Sequence, residues 1–154
     1  MMAESWTLWE GGRFVVTTSS NPHLPPEEGC HLIVAPKEPL PHAWADPAVT
    51  AATVELAARV CQVMERLGLA DWFNLQANGN WGLLPGGSPR LHVHIYARRK
   101  HGKTWAQPVE LPKAPGTFGF EPLAETDRAR LAAAISEAFS GESSGRVQPG
   151  PRPR

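Results

Sequence analysis

The segment Arg90-Leu91-His92-Val93-His94-Ile95-Tyr96-Ala97-Arg98-Arg99 places two imidazoles two residues apart, with guanidinium groups before and after them. Apolar residues recur at every second position, which is the period of a strand. Arg90, His92, His94 and Tyr96 are then expected on one face, and Leu91, Val93 and Ile95 on the other, against a core. Two chemistries suit such a row. His92 and His94 are close enough to share a zinc or iron ion. A cupin-like site would want a carboxylate four residues past the second His, and Arg98 stands there instead. Arg98, Arg99 and Lys100 repel a divalent ion, so neither a metal nor another cofactor is expected. The second chemistry is phosphoryl transfer. A neutral imidazole attacks phosphorus and forms a phosphoramidate, which water then opens. That reaction needs one ring nitrogen free, the other held as a donor, and positive charge or N–H groups around the phosphate oxygens. Pro85-Gly86-Gly87-Ser88, just upstream, suits the last need. Its glycines let backbone N–H groups approach an anion, and Ser88 adds a hydroxyl.

The elements that must position these side chains read as short strands and two helices. Ser5 to Trp9 and Arg13 to Thr18 are strands around the Gly11-Gly12 turn. Ser19 to Glu28 is a loop, and His31 to Pro36 is a compact apolar strand. Asp46 and Pro47 start a helix whose stripe of Val49, Leu56, Val60, Val63, Met64 and Leu67 runs to Gly68. Asp71 to Ala77 is a strand, and Asn78 to Pro89 a Gly- and Pro-rich loop. Gly102 to Gly119 is irregular, and Thr126 to Phe139 is a second helix. Consecutive strands predict an antiparallel sheet in a single α+β domain over residues 1–140. Residues 141–154 are poor in apolar side chains and are expected to be a disordered tail. Formal net charge is zero over 154 residues, so no global field draws the chain to nucleic acid or to a membrane. It has no apolar run long enough to span a bilayer. Its start lacks the basic and apolar regions of a secretion signal. Cys30 and Cys61 lack metal-type spacing. The expected location is cytoplasmic.

These segments together resemble the histidine triad (HIT) superfamily of nucleotide hydrolases and transferases, whose motif His-φ-His-φ-His-φ-φ (φ apolar) follows a Gly-rich loop. Here the motif reads Arg90-Leu-His92-Val-His94-Ile-Tyr96. Cys30-His31-Leu-Ile-Val-Ala-Pro36 resembles the family strand whose His lines the nucleotide pocket. Leu-Gln-Ala-Asn78-Gly79 is similar to the strand end that helps to bind phosphate, and Ala97-Arg98 to the Pro-Arg that often follows the triad. The resemblance implies a HIT-like fold, a five-stranded antiparallel sheet with one long helix and a C-terminal helix. It implies a nucleotide substrate: a phosphate ester, a phosphoramidate or a dinucleoside polyphosphate. In the register that fits Arg98, His92 is the nucleophile, His94 the third position and Arg90 the first. The other register makes His94 the nucleophile and Tyr96 third, as in the galactose-1-phosphate uridylyltransferase branch. By the same resemblance, Asn78, Gly87, Ser88 and Arg98 would bind phosphate, while Phe14, Val16, Asn21 and His31 would lie toward the nucleoside. Arg90 departs from the family pattern, because guanidinium stays protonated and binds phosphate bidentately. That departure leaves room for a non-catalytic nucleotide-binding or protein-interaction module on the same fold. Family members often dimerise by joining sheets, and the open edge of a small antiparallel sheet is compatible with a homodimer.

Overall fold

The computed structural model describes residues 5–111, 113–114 and 119–141. Its strands are β1 (Ser5–Gly11), β2 (Phe14–Ser19), β3 (Gly29–Pro36), β4 (Trp72–Gln76) and β5 (Val93–Arg98). They form one five-stranded sheet in the order β1-β2-β3-β5-β4, with every neighbouring pair antiparallel. Two helices complete the fold, α1 (Pro47–Arg66) and α2 (Glu125–Phe139). This is the expected α+β, five-stranded arrangement with one long and one C-terminal helix. The tail expected over residues 141–154 lies, beyond Gly141, outside the described residues.

Local chemistry explains where α1 starts and stops. The Asp46 carboxylate accepts hydrogen bonds from the N–H groups of Ala48 and Val49, both at 3.1 Å. Pro47 occupies the first turn, where no amide hydrogen is needed. Past the helix, Gly68 adopts φ +67°, the left-handed conformation that ends helices. Asp46→Ala is expected to cost about 1 kcal/mol, the usual value of such a cap. A thermal melt would show this as a drop of about 3 °C.

The helices cover one side of the sheet. Val60, Met64, Leu131 and Ile135 pack with Val16, Leu32, Val34, Val93 and Ile95 in a single core. Trp9 meets Phe139 edge-on at 5.1 Å, which ties α2 to β1. The other side of the sheet carries the polar members of the same strands. Residues directly opposite one another in an antiparallel pair share a face. His94 pairs with Ile33 and Gln76, Tyr96 with His31 and Asn74, and Arg98 with Gly29 and Trp72. Gly29 is required at its place: at φ +145°, an added Cβ would fall 1.7 Å from the Ala97 carbonyl oxygen. This close approach sets β3 against β5 and so aligns His31 with the histidine strand.

The ladder of β5 starts at Val93, so Arg90 and His92 sit just ahead of it rather than within it. Inside the upstream loop, Asn80–Leu83 forms a short 3-10 turn. Among the described residues, no helix is long and apolar enough to cross a membrane.

Candidate active site

Four imidazoles converge on the open face of the sheet, one more than the sequence reading assembled there. His92 is half-buried, and its Nδ1 lies 2.8 Å from the Arg90 carbonyl oxygen. A carbonyl only accepts, so His92 Nδ1 carries the hydrogen and the Nε2 lone pair is left available. His94 is buried beside it, with ring centroids 4.6 Å apart and planes at 76°.

A chain of hydrogen bonds fixes the tautomer of His94. The His23 backbone N–H donates to His31 Nδ1 at 3.3 Å. His31 must then hold its hydrogen on Nε2, which lies 2.8 Å from His94 Nδ1. His94 Nδ1 is therefore the acceptor, and His94 turns an Nε2–H donor outward. Side by side, His92 offers a lone pair and His94 a hydrogen-bond donor.

Burial keeps His94, His23 and His31 neutral. It pushes His94 down to about 3, helped by the nearby His92 charge, and His23 to about 4 for the same two reasons. His31 is held well below the usual imidazole range by burial and by the charges of its histidine neighbours. The consequence for stability has a definite sign. Unfolded histidines protonate near pH 6.5 and these folded ones do not, so stability is fully present above that pH and falls as acid is added. For His31 and His94 the loss at pH 5 is expected to be about 2 kcal/mol each. Melts at pH 7.5 and 5 would show it, and equal melting temperatures would contradict it.

His23 was not picked out from the sequence. It lies in the loop before β3, stacks on His31 at 4.2 Å, meets Trp81 edge-on at 5.8 Å, and places Nδ1 3.0 Å from the Tyr96 hydroxyl. No periodicity marks a histidine in a Pro-rich loop, and only the fold brings it to the triad strand. His23, His31 and His94 hold nitrogens within 4.8 Å of one another, which raises the question of a metal. Their geometry does not fit one. The His31 and His94 centroids are 5.1 Å apart with their nitrogens at 2.8 Å. The two rings therefore lie end to end around a shared proton. Zinc needs lone pairs that converge on a point about 2.0–2.1 Å from each nitrogen.

The structure redistributes several of the other expected roles. Val16 is fully buried and Phe14 packs on the core, so both point to the helix side and away from the histidines. The strand lies where the sequence predicts it, with its faces exchanged, as a shift of one residue does. Thr17 and Ile33 stand beside His94 instead, paired with each other across β2 and β3 and half-buried. His31 does not line an open pocket: it is 1 % exposed and acts through His94. The Gly87 N–H donates to the Leu84 carbonyl at 2.8 Å, so it is engaged within its own loop. A Cβ at Gly87 would fall 2.6 Å from the Gly82 carbonyl oxygen, which makes this glycine a packing requirement. Arg98 is 4 % exposed, and its guanidinium donates to Asn74 Oδ1, to the Gln107 carbonyl and to both Thr104 oxygens. It secures the loop after β5 and has no free fork for phosphate. Ser88, Asn78 and Arg90 are exposed near the start of β5, and Asn21 is half-buried after β2.

This architecture is the histidine triad fold. A histidine triad protein of Bradyrhizobium japonicum superposes with a TM-score of 0.62 at 20% identity, over 87% of this chain and 90% of its own. A hypothetical histidine triad nucleotide-binding protein of Sulfolobus tokodaii gives 0.58 at 18% identity, over 96% and 93%. A zinc-bound histidine triad family protein of Mycobacterium smegmatis gives 0.58 at 21% identity, over 91% and 90%. No family model matches the sequence, and no curated protein matches it.

Proposed function

We propose that this chain is a nucleotide-binding histidine triad protein that hydrolyses or transfers nucleotides through a nucleotidyl-His92 intermediate. The observation that carries the reading is the Nδ1 bond of His92 to the Arg90 carbonyl, which leaves Nε2 as the nucleophilic atom. His94 does not suit that role, because its hydrogen is on Nε2 and its Nδ1 is engaged by His31. This favours the register in which His92 is the nucleophile over the one that ends at Tyr96.

In the first step the His92 Nε2 lone pair forms a bond to the α-phosphorus of a nucleoside phosphate ester, phosphoramidate or dinucleoside polyphosphate. The bond to the leaving group breaks, and that group departs with the electron pair and takes up a proton from solvent water. His94 Nε2–H donates to a non-bridging oxygen as charge builds there, and Ser88 and the exposed Arg90 add donors. Asn78 lies on the same approach. Water then attacks the phosphorus and gives a proton to solvent, and the N–P electron pair returns to Nε2 so that His92 leaves as a neutral imidazole. Ile33 and Thr17 supply the half-buried surface beside His94 for the nucleoside, with Asn21 farther along the loop. An outer edge of the five-stranded sheet is where a second copy would extend it into a homodimer.

The test is turnover of an adenosine phosphoramidate and of a dinucleoside polyphosphate by purified protein in chelator. AMP release is expected with both. A second reading, nucleotide binding without turnover, is motivated by the exposed Arg90 at the first triad position. AMP binding by calorimetry, with neither product release nor a covalent adduct, would favour it.

His31 is a positioning residue in this scheme. His31→Phe removes the donor that holds His94 in its tautomer. It is expected to lower kcat on the order of 10²-fold with little change in KM. His31→Gln keeps an N–H donor and should recover part of the loss. A change confined to KM would contradict the role.

A further inference from the structure

Beyond the histidines, the same sheet face opens into a cavity of about 410 Å³ beside β4, lined by Trp72, Asn74, Arg98, Trp105, Ala106 and Gln107. We infer that this cavity is a second ligand site, for the flat uncharged ring of a nucleoside. The volume lies in the range of small-molecule sites. Three features of the wall select the ligand class.

The first is aromatic surface. Trp72 and Trp105 both line the cavity, and Trp72 is 61 % exposed on the edge strand. A large indole left open to water beside a cavity offers a stacking surface, and any base has a π-face to set on it.

The second is charge. Arg98 is the cation in the wall, yet its terminal nitrogens are already committed to Asn74, Gln107 and Thr104. The Thr104 hydroxyl links it to the buried carboxylate of Glu28. Nothing in this arrangement calls for an anion, so a phosphate is not the group recognised. Asn74 accepts from Arg98 with Oδ1, which leaves the Nδ2 donors of a cavity-lining amide. Gln107 serves Arg98 with its backbone carbonyl, so its side-chain amide is not part of that bond. Side-chain amides match the donor and acceptor edge of a base.

The third is backbone strain. Ala106 has φ +65°, the one positive φ of a non-glycine residue among the described residues. Strain of this kind persists where the surroundings fix it, and it concentrates where a loop shapes a ligand wall. Here the loop is fixed by Arg98 and Glu28 from behind.

The site stands apart from the reaction assigned to His92, and the experiment separates the two. Photolabelling with 8-azidoadenosine, followed by peptide mapping, is expected to mark the segment that carries Trp105 and Gln107. Trp72→Ala, at an exposed position, and Trp105→Ala should each reduce that labelling by about tenfold, the scale of one lost base–indole stack. Labelling near His92 should stay unchanged. Two results would overturn the inference. One is labelling confined to the His92 segment, or indifferent to both tryptophans. The other is a Trp72→Ala variant altered only in its sedimentation, which makes this face a contact between copies. Adduct formation at His92 is read separately by mass, so the failure of either idea leaves the other measurable.

Discussion

His92→Gly is expected to lower kcat on a nucleoside phosphoramidate by about 10³-fold or more, because it removes the atom that forms the new bond. Its effect on the fold should be small. His92 is half-buried, stands ahead of the β5 ladder, and contributes one hydrogen bond, to the Arg90 carbonyl. Losing such a bond costs about 1 kcal/mol, or about 3 °C in the melt. The variant also leaves a space shaped for the missing ring. Added imidazole should therefore restore part of the turnover, with release of free imidazole nucleotide as the intermediate decays. His94→Gly should not be rescued in this way, because the ring it lacks donates a hydrogen bond and forms no covalent bond. Equal rescue of both variants would undo the assignment of roles.

Glu28→Ala should have the largest effect on stability. Glu28 and Arg98 are both nearly inaccessible, at 5 % and 4 % exposed. The Glu28 carboxylate accepts from the N–H groups of Lys103 and Thr104 and from the Thr104 hydroxyl. Burial alone would raise its pKa, but these bonds and the Arg98 charge outweigh burial and hold it below the usual carboxylate value. Alanine would strand those donors and remove the anchor of Thr104, whose oxygens accept from the Arg98 guanidinium. Each buried donor left without a partner costs about 1–3 kcal/mol, and Glu28 satisfies three of them. At this chain length the melting temperature should fall on the order of 10 °C. Glu28→Gln keeps an acceptor but loses the charge, and should lie between. A Glu28→Ala protein that melts with the wild type would show that the loop after β5 is not held as described.

How much of this was legible in the sequence depended on the type of signal. The cap at Asp46, the stripe of α1 and the alternation around His92 and His94 are local patterns, and each produced the element expected. The resemblance led to the five-stranded antiparallel sheet with one long and one C-terminal helix, while the order β1-β2-β3-β5-β4 came only with the structure. What failed was handedness of face. The β-formers Phe14, Val15, Val16, Thr17 and Thr18 do not alternate cleanly between apolar and polar. Nothing local said which set turns toward the helices, and Phe14 and Val16 were put on the wrong side. Arg98 and Gly87 were misplaced for another reason. Whether a guanidinium or an amide hydrogen is free depends on what else is near it. Thr104, Gln107 and Leu84 reach these groups through loops that carry no periodic pattern. His23 escaped notice on the same grounds. Its place over His31 follows from the path of the loop before β3.

Intact-mass analysis after brief exposure to an adenylyl donor, with the modified peptide sequenced, tests most directly whether His92 is the nucleophile. A nucleophilic His92 requires a gain of one adenylyl group, located on His92, absent from His92→Gly and retained, if more slowly formed, in His94→Gln. An adduct on His94, or product formed while no histidine is ever modified, would contradict it.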